Sequence, residues 1–231
     1  MIFPIRINKY LAEKKICSRR EADELIKQGK IKINDKVAEL GTMVKEKDRV
    51  VVSGDLKKLV YLAYYKSKGI VTHSGQEEET SISDIVKFAK DVFPLGRLDK
   101  DSRGLLLMTN DGRVTDKLLN PKYSHEKEYI VKVNKFVDED FEKEMTNGVQ
   151  IDGGYRTKKC VFRKIDDFTF SIILIEGKNR QIRNMCKSLD FGVVDLKRVR
   201  VMNIELGDLK PGRYRVFSKE EQEKFLADLG L

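Results

Sequence analysis

Between Phe93 and Gly112 the chain carries its densest set of groups able to do chemistry. The polar run Gly96-Arg97-Leu98-Asp99-Lys100-Asp101-Ser102-Arg103-Gly104 leads straight into Leu105-Leu106-Leu107-Met108, and Thr109-Asn110-Asp111-Gly112 closes the segment as a turn. A polar loop mounted on a strand is the usual place for functional side chains. Asp99 lies between Arg97 and Lys100, and nearby positive charge keeps a carboxylate ionised. Whatever reaction it serves, it serves as an anion. Asp101 opens a second reading, a hydrolase working through paired carboxylates. Such sites recruit an acid of shifted pKa or a metal, whereas a loop this rich in cations keeps both acids charged. A third reading makes Asp99 a turn residue that satisfies local N–H groups.

Two further stretches hold candidate groups. Tyr129 begins the alternation Tyr129-Val131-Val133, which reads as one face of a strand. Over 179–189 the buried stripe is Ile182, Met185, Cys186 and Leu189, and Arg180, Arg183 and Lys187 share the polar face at i, i+3 and i+7. A solvated basic stripe is the plain alternative there, as a core tyrosine is for Tyr129.

These groups need elements to position them. Residues 6–53 read as helix, helix, small sheet. Ile7, Tyr10 and Leu11 sit at helical spacing, and Ser18-Arg19-Arg20-Glu21 is a capping box for a second helix with Ala22, Leu25 and Ile26 on its apolar face. Gly29 stops that helix. Ile31 and Ile33 alternate into the turn Asn34-Asp35-Lys36, with a second strand at 49–52. Arg19, Arg20 and Lys27 point away from the stripe, and Lys30 and Lys32 follow. After a polar link at 54–59, strands are expected near 60–65, 104–109, 127–133, 159–165, 168–175 and 199–206. Helices are expected near 82–90, 113–119, 138–147, 179–189 and 218–228. The pattern predicts an α+β chain: a small N-terminal unit over 1–55, and a larger one over 60–231 with a mixed, mainly antiparallel sheet flanked by helices.

Composition narrows the function. The 231 residues carry 46 Lys and Arg against 37 Asp and Glu, a net charge of +9. The surplus is clustered: residues 1–58 hold 15 basic and 9 acidic side chains, and residues 176–215 hold 10 and 5. Clustered positive charge points to a polyanionic partner. Cys17, Cys160 and Cys186 are dispersed, no CxxC occurs, and His73 and His125 lack metal-ligand spacing. This argues against a disulfide framework and a zinc site, and thiols left reduced suit the cytosol. The opening MIFPIRINKY lacks the apolar run of a signal peptide, and no later stretch reads as a membrane span.

The 93–112 stretch resembles the Gly-Arg-Leu-Asp…Gly-Leu-Leu-Leu-Thr-Asn-Asp-Gly signature of pseudouridine synthases of the RsuA/RluB/RluE/RluF group. Residues 6–53 resemble the S4 RNA-binding domain that precedes the catalytic domain in that group. Lys127-Glu128-Tyr129 is similar to the motif holding the active-site tyrosine, and Gly177 to Cys186 to the motif holding a basic residue. That last motif, with Lys197-Arg198-Val199-Arg200-Val201-Met202-Asn203, is most similar to the RluF branch, which acts on large-subunit rRNA. The chain departs at Tyr65-Lys66-Ser67-Lys68-Gly69, where the family usually has Asn-Lys-Pro-x-Gly, and at Ser102, where many relatives have Thr.

The resemblance implies the pseudouridine synthase fold and the conversion of a uridine in structured rRNA to pseudouridine, without a cofactor. It makes Asp99 the nucleophile or base. Tyr129 becomes the stacking plate for a flipped base, and Arg183 the cation paired bidentately with Asp99. It implies RNA contacts from Arg97, Leu98, Lys100, Arg180, Gln181, Ile182, Arg198, Arg200, Val201, Met202 and Asn203. In the S4-like unit, RNA contacts fall to Arg19, Arg20, Lys27, Lys30, Lys32 and the tip Gly41-Thr42-Met43-Val44. Large-subunit rRNA is the expected partner, with small-subunit rRNA and tRNA as alternatives. The protein is expected to be a cytoplasmic monomer with no obligate protein partner, no membrane association and no metal. A competing class is a binding module, an RNA chaperone or assembly factor whose second domain is catalytically silent.

Overall fold

The computed structural model describes residues 1–54, 58–72, 81–82 and 92–231. The helix expected at 82–90 and His73 lie outside the described residues, apart from Ile82.

The N-terminal unit forms as its pattern dictates. Helix α1 (Ile7–Glu13) buries Ile7 and Leu11. Helix α2 (Arg19–Lys27) is capped by the box read from sequence: Ser18 Oγ accepts from Glu21 N at 3.2 Å, and Ser18 N donates to the Glu21 carboxylate at 3.4 Å. A three-stranded sheet of β2 (Ile31–Ile33), β3 (Lys36–Val37) and β5 (Val50–Val52) follows, and β1 (Ile5–Arg6) pairs with β4 (Met43–Val44). Its core, Ile5, Ile7, Leu11, Ala22, Ile26, Ile31 and Val44 among others, draws only on residues of this unit.

The rest of the described chain is organised by one nine-stranded sheet, ordered β12-β13-β9-β14-β8-β6-β16, with β15 on β14 and β7 on β8. The strands run β6 (Tyr61–Lys66), β7 (Phe93–Leu95), β8 (Arg103–Thr109), β9 (Lys127–Val133), β12 (Val161–Asp166), β13 (Thr169–Leu174), β14 (Val193–Val201), β15 (Ile204–Glu205) and β16 (Tyr214–Val216). A small pair, β10 (Gln150–Ile151) with β11 (Tyr155–Arg156), lies apart. Every pairing in the large sheet is antiparallel except β14 with β8.

At its centre the sheet is buried on both faces, so β6 and β8 read as near-continuous apolar runs, while the edge strands β12 and β16 are largely exposed. On one face Tyr61, Ala63, Tyr65, Leu105 and Leu107 pack under helices α3 (Arg113–Leu119) and α6 (Lys219–Asp228). On the other, Leu62, Tyr64, Leu106 and Met108 meet Leu98 and Ile82. Around β9 and β13 a second large core holds Val131, Phe141, Phe170, Met185 and Cys186 beneath α4 (Glu139–Asn147) and α5 (Gln181–Ser188).

One expected strand is different. The 199–206 segment is a hairpin: β14 starts at Val193 and turns at Met202-Asn203, with Met202 at φ 52°. The charged residues Asp195, Lys197 and Arg198 hid its first half, and a turn without glycine hid its end.

The β14–β8 junction is the tightest point of the sheet. A Cβ on Gly104, at φ 107°, would lie 2.2 Å from the Arg198 carbonyl oxygen and 2.7 Å from its nitrogen. Gly104→Ala is therefore expected to cost about 3 kcal/mol or more through strain and overpacking. That should lower the melting temperature by about 10 °C in circular dichroism, and a shift under about 2 °C would contradict this packing.

Candidate active site

A cleft of about 640 Å³ opens where the two cores meet, with Asp99, Lys127, Tyr129, Arg180 and Arg198 among its lining residues. Asp99 lies in the loop between β7 and β8. That loop is held almost wholly through its backbone. The Thr72 hydroxyl donates to Leu98 O (2.8 Å) and accepts from Leu98 N (3.1 Å). Gly69 N donates to Lys100 O, and Ser102 N to Asp99 O. Beneath the loop sits Lys66, fully buried at 0% exposure. Its ammonium donates to Ser102 O (2.8 Å), Ser67 O (3.1 Å) and Lys100 O (3.4 Å).

Held this way, the loop leaves the Asp99 carboxylate unengaged. Among the described residues it makes no side-chain hydrogen bond and no ion pair, and it is half-buried in the cleft wall. This removes the reading of Asp99 as a turn residue, because its backbone oxygen, not its carboxylate, closes the turn.

Tyr129 sits mid-strand in β9, opposite Ile172 of β13 and Arg198 of β14. It packs against both cores while lining the cleft, so structural and stacking roles coexist in one ring.

Arg183 is not where the expected carboxylate pair would put it. Its guanidinium donates to Asp101 O (3.1 Å) and to Val193 O (3.4 Å), its Nε is buried without a partner, and no ion pair joins it to Asp99. Its fork is taken by two main-chain carbonyls instead, and through Asp101 O it braces the Asp99 loop. Arg180 adopts a left-handed conformation (φ 48°) as the N-cap, off the helical face it was expected to share.

The cations that line the cleft are others. Arg198 is 5% exposed, donates from Nε to Leu105 O at 2.7 Å, and has no carboxylate partner among the described residues. Lys127 donates to His125 O at 3.1 Å. Burial, reinforced by the Arg198 charge, holds its pKa below the usual lysine value. Gln181 and Ile182 are buried walls, and Gln181 is fixed by Glu176, which also accepts from the Tyr155 hydroxyl and Lys158 N.

Several expected RNA contacts are consumed inside the fold. Arg200 pairs with Glu128 (2.9 Å) and Glu126 (3.0 Å) and donates to Met202 O. Val201 and Val44 are core residues, and Asn203 donates to Glu221 O. Lys27, by contrast, pairs with Glu24 on the exposed face of α2. Met202 is half-buried at the hairpin turn and Leu98 is buried in the cleft wall. Arg97, Lys100, Arg19, Arg20, Lys32, Gly41 and Met43 are exposed, Lys30 and Thr42 half-buried. Arg180 is exposed and lies 3.9 Å from Asp101.

Sequence reasoning missed Lys66, Thr72, Lys127 and Glu176. Lys66 carried one signal: a cation ending the otherwise apolar Tyr61–Tyr65 run.

This fold and cleft define an RNA-modifying enzyme preceded by an RNA-binding unit. The family model described as RNA pseudouridylate synthase matches residues 60–188, and the S4 domain model matches residues 5–50. The chain belongs to the RNA pseudouridine synthase family, enzymes that isomerise uridine to pseudouridine in RNA. It is 44% identical over 223 residues to the dual-specificity RNA pseudouridine synthase RluF of Escherichia coli K12, covering 94% of this chain and 77% of that protein. It is 32% identical over 240 residues to the ribosomal large subunit pseudouridine synthase B of Bacillus subtilis, covering 97% and 98%. A pseudouridylate synthase crystal structure superposes with a TM-score of 0.71 at 26% identity, covering 96% of this chain and 99% of that one.

Burial pushes the Lys66 pKa down to about 8, with Arg198 acting in the same direction and Asp99 and Asp101 opposing. The unfolded chain therefore binds the extra proton between about pH 8 and the normal lysine value, so the contribution of Lys66 to stability rises with pH through that window. Wild-type protein should gain stability over Lys66→Met when unfolding is measured in urea from pH 7 to pH 10. Parallel pH curves for the two proteins would contradict a buried, titrating ammonium.

Proposed function

We propose that Asp99 starts the exchange of the uridine N1–C1′ bond for a C5–C1′ bond in a stem-loop of large-subunit ribosomal RNA. The observation that carries this is the unpartnered Asp99 carboxylate sharing one cleft with the Tyr129 ring. A base inside a duplex cannot be turned over in place, so the uridine is flipped out, at a cost of a few kcal/mol. Stacking on Tyr129 returns roughly 1–3 kcal/mol. Asp99 then either attacks C1′ or draws a proton from the ribose to give a glycal-type intermediate. The Tyr129 hydroxyl relays the proton that leaves C5. The isomerisation moves no electrons and no phosphate, so it asks for no redox or phosphoryl cofactor.

Arg183 serves by bracing the loop at Asp101, and Arg198 with Lys127 gives the cleft a positive lining. Arg97 and Arg180 stand at the cleft for backbone phosphates, with Lys100 exposed on the same loop. The name of the Bacillus subtilis relative, a ribosomal large subunit pseudouridine synthase, supports large-subunit rRNA as substrate. We further read the chain as an RNA-binding unit over 1–55 and a catalytic unit over 60–231, acting as a cytoplasmic monomer. No described helix is long and apolar enough to cross a membrane.

Asp99→Asn should retain RNA affinity while losing at least about 10³-fold in rate, the scale of a positioned acid–base or nucleophilic group. Pseudouridine is read by chemical mapping on total RNA from cells with and without the gene, then on the mapped fragment with purified protein. Near-normal turnover by Asp99→Asn would remove the assignment. Tight RNA binding with no pseudouridine from wild type would favour the silent binding module.

A further inference from the structure

Among the described residues the two units touch at a seam that is built. Asp111 is 1% exposed, and the Tyr61 hydroxyl donates to it at 2.5 Å. Arg113 donates to both Asp111 oxygens, from Nε and Nη2, at 2.8 Å each. A guanidinium has a rigid fork of donors, so fixing two of them aims the third. That third, Nη1, donates across to Lys15 O of the N-terminal unit at 2.6 Å. Lys15 in turn donates from Nζ to Gly230 O at 2.5 Å, beyond the end of α6. Beside them Gly112 lies flat against the capping residue of α2. A Cβ on Gly112 would meet Ser18 Cβ at 2.6 Å and Ser18 Oγ at 2.9 Å.

The seam leaves a groove of about 1560 Å³ along α3, which runs between α2 and the cleft. Thr115, Leu119, Asn120 and Pro121 line both groove and cleft, so the two are continuous. The groove's acidic side chains are already engaged. Glu13 faces Lys9, Glu21 caps α2, Glu24 pairs with Lys27, and Asp116 accepts from Asn120. Arg19 and Arg20 are exposed there and have no partner among the described residues.

We propose that the N-terminal unit is docked rather than tethered, and that the Gly112–Arg113 seam lays one continuous track for the substrate's phosphate backbone, from the Asp99 cleft along α3 to Arg19 and Arg20. The substrate class is then an RNA hairpin whose stem extends past the modified nucleotide far enough to reach α2. The RNA half of this rests on the reading of the Asp99 cleft above. The docking half does not.

Gly112 makes the test clean. Its φ of −66° and ψ of −15° suit any residue, so alanine adds no backbone strain within α3. Only its contact with Ser18 suffers, and Ser18→Gly removes both clashing atoms while costing the cap only a few tenths of a kcal/mol. Four full-length proteins are compared: wild type, Gly112→Ala, Ser18→Gly and the double variant. Small-angle X-ray scattering without RNA should show Gly112→Ala expanded, with wild type, Ser18→Gly and the double variant compact. On a long hairpin, Gly112→Ala should raise KM about tenfold as the second contact becomes linker-tethered, with kcat unchanged. On a hairpin trimmed to its loop and a few base pairs KM should not move, and the double variant should recover the long-hairpin value. Identical scattering for wild type and Gly112→Ala would overturn docking at this seam. Expansion with an equal KM change on both RNAs would overturn the track. Absence of pseudouridine from wild type would sink the Asp99 reading, and scattering would still decide the docking.

Discussion

The Lys66 ammonium, shut away from water beneath the Asp99 loop, is the interaction on which the site depends. A buried charge is costly unless its donors are matched, and here three backbone carbonyls do the matching. Two of them belong to the loop between β7 and β8, so the desolvated lysine and the loop stabilise each other. The loop needs such support because it has to present a carboxylate and cannot also spend that carboxylate on holding itself. Thr72, Gly69 and Arg183 follow the same rule: each grips main chain at Leu98, Lys100 or Asp101. The backbone carries the structural burden and the Asp99 side chain is left for chemistry.

The sheet supplies the second constraint. β14 is shared between the two large cores, antiparallel to β9 on one side and parallel to β8 on the other. Arg198 belongs to this strand at its closest approach to Gly104, and Tyr129 is its register partner on β9. The distance between the loop carrying Asp99, at the start of β8, and the ring on β9 is therefore set by strand spacing across β14. A site built across three bonded strands cannot change width without breaking the ladder, which is the preorganisation a flipped base requires.

What the sequence made legible was local and contiguous. The Ser18–Glu21 box, the alternation in β9 and the polar loop entering an apolar strand each announce themselves within a dozen residues, while the placing of Asp99 and Tyr129 in one cleft was implied by the family resemblance alone. The failures share a cause. Arg183, Arg200 and Asn203 are side chains whose partners lie far along the chain, so their type gave no sign that Asp101 O, Glu128 and Glu221 O would claim them. Lys66 failed in the opposite sense: a buried cation looks like a surface residue until the layers that cover it are in place. Val193 to Arg198 escaped notice because Asp195 is neutralised by Arg103, a partner 92 positions away.

The division of positive charge follows from this. Arg103, Arg113, Arg200 and Arg215 each carry a short carboxylate pair, and Lys66 is committed to carbonyls. Such groups fix geometry, and a guanidinium already matched by a carboxylate gains little from a phosphate. Each such pair removes one charge of either sign, so the net charge of +9 is left on the remaining side chains. Among the cations without an acidic partner in the described residues, four are placed with direction: Arg198 inside the cleft, Arg97 at its mouth, Arg19 and Arg20 at the far end of the groove. An RNA drawn to those charges is drawn along one line, and the line ends at Asp99. Positive charge spread evenly over the surface would bind RNA as well but would not orient it, so orientation comes from where these four guanidiniums stand relative to the cleft.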